Sequence, residues 1–316
     1  MSTYNKISFL IPALNEEENI GEAIRSIQEH LPKHIEYEII VGDHGSVDQT
    51  RNIAKSFGAR VFEKSGSSIA SLRNDLARAA SGDLLIFNDA DVLLTSDWGN
   101  SIRDVIDDIE GANGTHLVGG LLQPPQQKNW LIDNWFRLQK LEEKKYAGTG
   151  HLIISKKLLD DLNGFNETLA TGEDYDLSMR AKGKGVKVYV DERLRVIHTD
   201  YPTTLKDFYY RELWHGIGDF KDIGSLIKSK VAMTSVIFIF AIIALLSNYL
   251  VVNKYAALSG LIALSIPVGC SYWKFNSLNI KQRATNVIIW VIYLTARALS
   301  FFYRKNNGRL NNEKAG

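Results

Sequence analysis

The chain has 316 residues, 45% of them hydrophobic, enough for one large domain with an appendage or for two modest domains. Its formal net charge of +1 conceals a division: from Lys221 onward there are 12 Lys/Arg against 2 Asp/Glu, which leaves 25 basic and 34 acidic groups before that point. An acidic front half argues against a nucleic-acid binder, and basic residues flanking apolar runs in the tail point to a membrane surface instead.

The first segment, Lys6–Leu14, reads as a short apolar strand, followed by an acidic helix start and a helix through about Gln28. Its apolar stretch is brief and charge follows at once, unlike a secretory signal, so the front half is expected to remain in the cytoplasm. Glu38–Val41 is a second strand, ending in the turn-rich Gly42-Asp43-His44-Gly45-Ser46. A helix over Asp48–Phe57, a strand over Ala59–Phe62, a helix over Ser68–Ala80 and a buried strand over Asp83–Phe87 come next. Strands alternating with helices at this spacing predict a mostly parallel sheet covered on both faces. In such sheets ligands bind beyond the carboxyl ends of the strands, and the polar clusters Asn15–Glu18, Asp43–Ser46 and Asp89–Asp91 fall there.

From about Tyr201 to Lys230 the chain turns aromatic and basic, as expected at a lipid interface. Val231–Val252 is then free of charge for about 22 residues, near the roughly 20 that a bilayer span requires. Tyr255–Trp273 follows after Asn253-Lys254 alone, so the pair reads as a transmembrane hairpin. Lys228 and Lys230 before it, with Lys274, Lys281 and Arg283 after it, place both flanks in the cytoplasm. The expected division is thus a catalytic region over 1–225, with interfacial helices at its end, and a membrane region over 226–316. A third apolar stretch, Thr285–Tyr303, contains Arg297 and precedes Arg304, Lys305 and Arg309. Two placements stay open for it: a span that shields Arg297 among helices, or a helix lying in the interface. The one cysteine, Cys270, lies in an apolar run, so no intrachain disulfide is expected.

Asp89-Ala90-Asp91 is the sharpest chemical element. On an extended segment, side chains at i and i+2 share a side, so the two carboxylates are expected to converge and to need a cation. Oxygen ligands of this kind suit Mg2+ or Mn2+, though a solvated acidic loop would read the same way. In the loop after the second strand Asp43 can accept hydrogen bonds from a base or ribose, while Ser46 or Asp48 can equally cap the next helix. Asn15–Asn19 opens a helix with acids that its dipole favours. The cluster Gly172-Glu173-Asp174-Tyr175-Asp176-Leu177 offers a general base, or else a helix N-terminus followed by a solvated face. His198, ending a strand-like LRVIH, is either a metal ligand or a structural histidine.

Taken in order, these segments resemble the family 2 glycosyltransferases of the GT-A fold. The matching landmarks are Ile11–Glu16, Val41–Thr50, Arg73-Asn74 with Ala80–Asp83, Phe87–Asp91, and Gly164–Glu167 with Gly172–Leu177 and Arg180. The resemblance covers roughly residues 6–200. It implies a GT-A α/β fold, a nucleotide-sugar donor and a Mn2+ or Mg2+ ion. By it, Asp43 would contact the donor base, and Pro12, Glu16 and Arg73 would line the nucleotide pocket. Asp89 would meet the ribose or metal, Asp91 and His198 would bind the metal, and Asp174 would be the base of an inverting transfer. His44 departs from the family's usual second aspartate, and Asn88 stands where an apolar residue is common.

The Q-x-x-R-W motif of processive synthases keeps only its Trp in Tyr210–Trp214, so single addition is expected over polymerisation. Polyprenyl-phosphate sugar synthases usually lack a G-E-D-Y-D-L cluster, which favours a saccharide or lipid-linked saccharide acceptor, with a UDP-sugar as donor. By the same resemblance the setting is an inner membrane and the product a surface polysaccharide or glycolipid. A nucleotidyltransferase would carry a glycine-rich loop where Pro12-Ala13-Leu14-Asn15 stands, and an inactive scaffold would be expected to lack Asp91 or Asp174.

Overall fold

The computed structural model describes residues 4, 6–138, 146–169, 171–220, 223–251, 255–275 and 277–306. They fall into two units, one of residues 4–125 and 146–200, the other of 126–138 and 201–306.

In the first unit the chain runs β1 (Lys6–Ala13), α1 (Ile20–His30), β2 (Glu36–Asp43), α2 (Thr50–Ser56), β3 (Arg60–Glu63), α3 (Ile69–Ala79), β4 (Leu84–Asn88) and β5 (Val92–Leu94). It continues through α4 (Ser96–Gly111), β6 (His116–Gln123), β7 (His151–Ser155), α5 (Lys156–Asp161), α6 (Glu173–Gly183) and β8 (Lys187–His198). Most expected elements up to β4 are present within two or three residues of their predicted ends, but the first helix starts at Ile20, past the acidic Asn15–Asn19 expected to open it. Helix starts follow capping chemistry: Ser68 Oγ accepts from the Ser71 N–H at 3.2 Å, and Thr95 Oγ1 from the Trp98 N–H at 3.3 Å.

The sheet order is β3-β2-β1-β4-β7-β6-β8-β5. β3, β2, β1 and β4 are mutually parallel, as the alternation predicted. β7 then pairs antiparallel with β4 and with β6, β8 runs parallel to β6, and β5 pairs antiparallel with β8. This order gathers the carboxyl ends of β1, β2, β4 and β8, and the start of β7, along one edge of the sheet. Successive side chains alternate between two cores. Ile7, Phe9 and Ile11 pack with α1 and α4, while Leu10 and Phe87 pack with α3, α5 and α6.

The second unit comprises a π-helical turn at Ile132–Phe136, α7 (Leu205–His215), a 3-10 turn at Ile217–Phe220, α8 (Ile223–Lys228), α9 (Lys230–Leu250), α10 (Ala256–Lys274) and α11 (Ile280–Asn306). Three of these helices, α9, α10 and α11, are long and apolar enough to cross a membrane, with mean hydropathies of 2.3, 1.4 and 1.5. Asn248 Nδ2 donates to Ser259 Oγ at 2.7 Å and joins α9 to α10. The Asn253-Lys254 link lies outside the described residues, as do the side chains of Arg304, Lys305 and Arg309.

Arg297 of α11 is neutralised within this unit. Its Nε lies 3.2 Å from Glu212 Oε2 and its Nη1 lies 3.1 Å from Asp219 Oδ2. Glu212, 3% exposed, also accepts from Arg211 Nη1 at 2.8 Å. Removing one partner of a buried pair costs about 3–5 kcal/mol when the other charge is left bare, and less here because Arg211 stays on Glu212. Arg297→Ala should therefore lower the melting temperature of the detergent-solubilised protein by several degrees. Arg103→Ala, which removes an exposed i,i+4 pair with Asp107, should leave it within a degree, and equal effects would contradict the ledger.

Candidate active site

β1 and β2 run in register from Lys6↔Glu36 to Ala13↔Asp43, so the loops beyond them begin side by side. Side chains lace these loops together. Asn15, at φ +56°, donates its N–H to Ser46 Oγ at 2.9 Å and accepts the Val47 N–H on Oδ1 at 2.9 Å. The Glu16 N–H donates to Thr50 Oγ1 at 2.8 Å, and Asn19 Nδ2 donates to the Glu16 carboxylate at 2.8 Å. Asp43, 1% exposed, accepts the N–H groups of Gly45 and Ser46, each at 3.1 Å, where Gly45 turns the chain at φ +102°. Much of its carboxylate is thus engaged in its own loop. Asp48, and not Ser46, accepts the Thr50 N–H at 3.0 Å. Pro12 is buried near the end of β1, pairing with Gly42 of β2.

Beyond β4 the chain does not stay extended. The Val92 N–H donates to the Asp89 carbonyl at 3.1 Å, closing a turn over Asp89–Val92. The turn replaces the extended chain on which the two carboxylates were expected to converge, and each meets its own partner. Asp89 Oδ1 meets Arg73 Nη2 at 3.1 Å, and Asp91 Oδ2 meets His198 Nε2 at 3.1 Å. The second contact follows from sheet register, since β5 pairs Val92 with His198. The Thr199 N–H and Oγ1 both donate to the Asp91 carbonyl, at 2.8 and 2.9 Å, and hold it in place.

The turn rests on a buried relay that the sequence did not reveal. Trp98 Nε1–H donates to His151 Nε2 at 2.8 Å, and His151 Nδ1 lies 2.8 Å from Asn88 Oδ1. Because an indole only donates, Nε2 must be the accepting nitrogen and Nδ1 must carry the proton. Asn88 Nδ2 then donates to the carbonyls of Asp89 and Val92, both at 2.9 Å. Burial pushes His151 down to about 3, so the ring stays neutral. The one available hint was Asn88 itself, a polar residue at the end of a buried strand.

Arg73, 5% exposed, reaches from α3 to both sides of the site. Its Nη1 donates to Glu173 Oε1 at 2.5 Å while Nη2 holds Asp89. Glu173 opens α6 after Gly172, which sits at φ +80°. Beside it, half-buried Asp174 is raised above the ordinary carboxylate range by burial and by the Glu173 charge. Asn74 fixes the neighbouring turn: its Oδ1 accepts the Phe165 N–H at 2.8 Å, and its Nδ2 donates to Glu167 Oε1 at 2.8 Å. The structure therefore joins Arg73, Asp89 and Glu173 in one group and Asp91 with His198 in another, with Asp174 next to Glu173 at the start of α6. Asp43 belongs to the loop network.

The carboxylates along this edge repel one another. Asp91 is pushed up to about 7, first by burial, then by the charges of Asp89 and Asp200. Glu16 is likewise pushed up to about 7, by burial and then by Asp91, Asp200 and Asp89. Among the described residues no three His, Cys, Asp or Glu side chains form a metal cage of their own. The Asp91–His198 pair still fits Mn2+ or Mg2+ as a partial donor set, because such ions keep waters and take further ligands from substrate phosphates.

The sequence pattern of Glycosyl transferase family 2 matches residues 8–154, and that of Glycosyl transferase family group 2 matches residues 146–303. The chain belongs to the family 2 glycosyltransferases, enzymes that transfer sugars, as its sequence relatives agree. It is 27% identical over 199 residues to the glycosyltransferase AglE of Haloferax volcanii, covering 58% of this chain and 64% of that one. It is 25% identical over 209 residues to a poly(ribitol-phosphate) beta-glucosyltransferase of Bacillus spizizenii, covering 57% of this chain and 33% of that one. A dolichol-phosphate mannosyltransferase of Pyrococcus furiosus is 28% identical over 169 residues, covering 51% and 45%. The matched regions thus span one third to two thirds of these relatives' own lengths. In fold, the chain is similar to the mannosyltransferase PcManGT from Pyrobaculum calidifontis in complex with GDP-Man and Mn2+, with a TM-score of 0.61 at 16% identity over 96% of this chain and 88% of that one. GalNAc-T7 with UDP, GalNAc and Mn2+ gives a TM-score of 0.53 at 17% identity over 69% and 51%. This is the GT-A architecture.

The relay yields a test by stability. Asn88→Leu leaves the His151 N–H and two carbonyls without their partner, a loss on the order of 2–3 kcal/mol. Adding His151→Phe removes the orphaned N–H, so the double variant should lose at least about 1 kcal/mol less than the sum of the singles. Strict additivity in denaturant unfolding would rule the relay out.

Proposed function

We propose that this glycosyltransferase moves a sugar from a nucleotide-diphosphate donor, with UDP-sugars first among those to assay, onto a saccharide or lipid-linked saccharide hydroxyl with inversion. The observation that carries this reading is the position of Asp174. It follows Glu173, the bonded partner of Arg73, at the start of α6, and lies within reach of both charges. A carboxylate raised by burial and by Glu173 is a good proton acceptor for an alcohol. Asp174 takes the hydroxyl proton as the acceptor oxygen bonds to the anomeric carbon, the bond to the diphosphate breaks, and the nucleoside diphosphate leaves with the electron pair.

Asp91 and His198 would hold a Mn2+ or Mg2+ ion. The ion would supply positive charge that stabilises the departing diphosphate. Arg73 orients Asp89 toward the donor through its second bond to Glu173. Asp43, Glu16 and Pro12 shape the nucleotide side of the edge, where the laced loops keep backbone from collapsing into the cleft. Two similar structures, in complex with GDP-Man and Mn2+ or with UDP, GalNAc and Mn2+, support this assignment by analogy.

A saccharide acceptor is favoured by aromatic surface beside the base. Tyr146 and Tyr175 stand edge to face, their centroids 5.8 Å apart, and both are exposed. Burial, then the Asp174 charge, raises the Tyr146 hydroxyl, which places that ring close to the carboxylate. Sugar rings stack on such faces. The apolar helices associate the enzyme with a lipid bilayer. The basic flanks support a catalytic unit on the cytoplasmic side of a cell membrane, assembling surface polysaccharide or glycolipid.

Donor hydrolysis by the purified protein, across UDP-, GDP- and dTDP-sugars with Mn2+, Mg2+ or EDTA, tests the class of donor and the metal. One nucleoside diphosphate should be released, and EDTA should abolish its release. Asp174→Asn should keep donor affinity within about threefold and lose transfer by about a hundredfold or more. Tyr175→Ala should raise KM for a saccharide acceptor and leave donor KM unchanged. Full activity in Asp174→Asn would remove it as the base, and transfer to bare polyprenyl phosphate alone would replace the saccharide acceptor.

A further inference from the structure

We propose that α11 does not cross the bilayer: it lies along the membrane surface on the catalytic unit's side, leaving α9 and α10 as the two crossings. This rests on the membrane association described above and adds the placement of the third apolar helix.

The argument begins with one face of α11. Asn286, Trp290, Tyr293, Arg297 and Ser300 recur at intervals of four and three and so form a single row along it. Each meets a segment that precedes the first crossing. Asn286 Nδ2 donates to the Asn134 carbonyl at 2.9 Å, and the Trp290 and Trp135 rings are 5.0 Å apart. Tyr293 and Phe208 lie 6.4 Å apart, Arg297 holds Glu212 and Asp219, and Ser300 presses against Gly216 so closely that no side chain would fit there. The row is about 21 Å long at 1.5 Å per residue.

Those partner segments have no means of reaching the far side of a membrane. Residues 126–138 follow β6, and the chain returns to β7 at His151. Residues 201–220 follow β8. Among the described residues neither stretch contains a helix long and apolar enough to span. If α11 crossed, its partners would have to follow it through about 21 Å of hydrocarbon, carrying Asp133, Arg137, Lys206, Asp207, Arg211 and Asp219 with them. Charges of that number do not enter lipid. They do sit at its surface.

Two further observations agree. The apolar core that α11 shares with the hairpin draws on Val231, Phe238, Ile239 and Ile242 of α9 and on Ile266 and Cys270 of α10. A third crossing would pack along the hairpin's whole length, and none of these residues lies beyond Ile242 in α9 or before Ile266 in α10. On its opposite face α11 exposes Ala284, Ile288, Val291 and Phe302, again at intervals of four, three and eleven. An interfacial helix needs such a charge-free stripe to bury in the acyl boundary.

Side-specific thiol labelling tests this in sealed membrane vesicles of both orientations. In a Cys270→Ala background, single cysteines are placed at exposed Ser56 of the catalytic unit, at Val251 beyond α9, and after Gly316. A membrane-impermeant maleimide should label Ser56→Cys and the appended cysteine in one orientation, and Val251→Cys in the other. Labelling of the appended cysteine together with Val251→Cys would show that α11 crosses and would overturn the proposal, leaving membrane association intact. Labelling of all three in one orientation, or release of the protein by carbonate washing, would remove the hairpin crossings themselves and this proposal with them.

Discussion

Negative charge crowded at the end of a buried sheet is the constraint on which the rest of this molecule depends. Burial, and then the charges of Asp89 and Asp200, pushes Asp91 up to about 7; burial, and then Asp91, Asp200 and Asp89, does the same to Glu16. Like charges in such a place persist only if the surrounding structure enforces them or a cation relieves them. Arg73 relieves part of the load by bridging Asp89 and Glu173. The remainder faces the cleft, where a divalent ion and a diphosphate would complete the balance. In the proposed reaction the same electrostatics would favour a metal-bound donor over a bare anion.

The fold supplies that enforcement by topology. Parallel strands β1, β2 and β4 deliver their ends to one edge, and β8 brings His198 there from the other half of the sheet. The tight turn after β4 would be free to move but for the chain Trp98–His151–Asn88, which ties both of its carbonyls into the core. The first two loops are laced by Asn15, Ser46, Thr50 and Asp48 in a comparable way. Rigid support beneath a reactive edge keeps its groups within the small tolerances that group transfer demands.

Much of this was legible in the sequence, and the missing parts share a cause. Local periodicity located β1 to β4 and their helices, and the ordered polar clusters identified the family and the edge. Contacts between distant residues were invisible to such reasoning. Arg73 and Glu173 are separated by 100 positions and Asn88 and His151 by 63, with no spacing rule to connect them. The insertion of antiparallel β7 beside β4 was equally non-local. At Asp89-Ala90-Asp91 a hydrogen-bonded turn stands where strand alternation assumed extended chain. Arg297 was recognised as anomalous in an apolar helix, yet its two carboxylate partners lie 78 and 85 positions earlier and could not be named.

The claim that the acidic edge exists to receive a metal-bound diphosphate is tested most directly by titrating Mn2+ into the purified protein, followed by electron paramagnetic resonance, with and without saturating UDP. The account predicts one nucleotide-dependent ion per chain. Asp91→Asn should weaken its binding by about tenfold or more, and Asp97→Asn, an exposed acid on α4, should bind it as the parent does. Equal Mn2+ affinity in the parent and in Asp91→Asn would contradict the account.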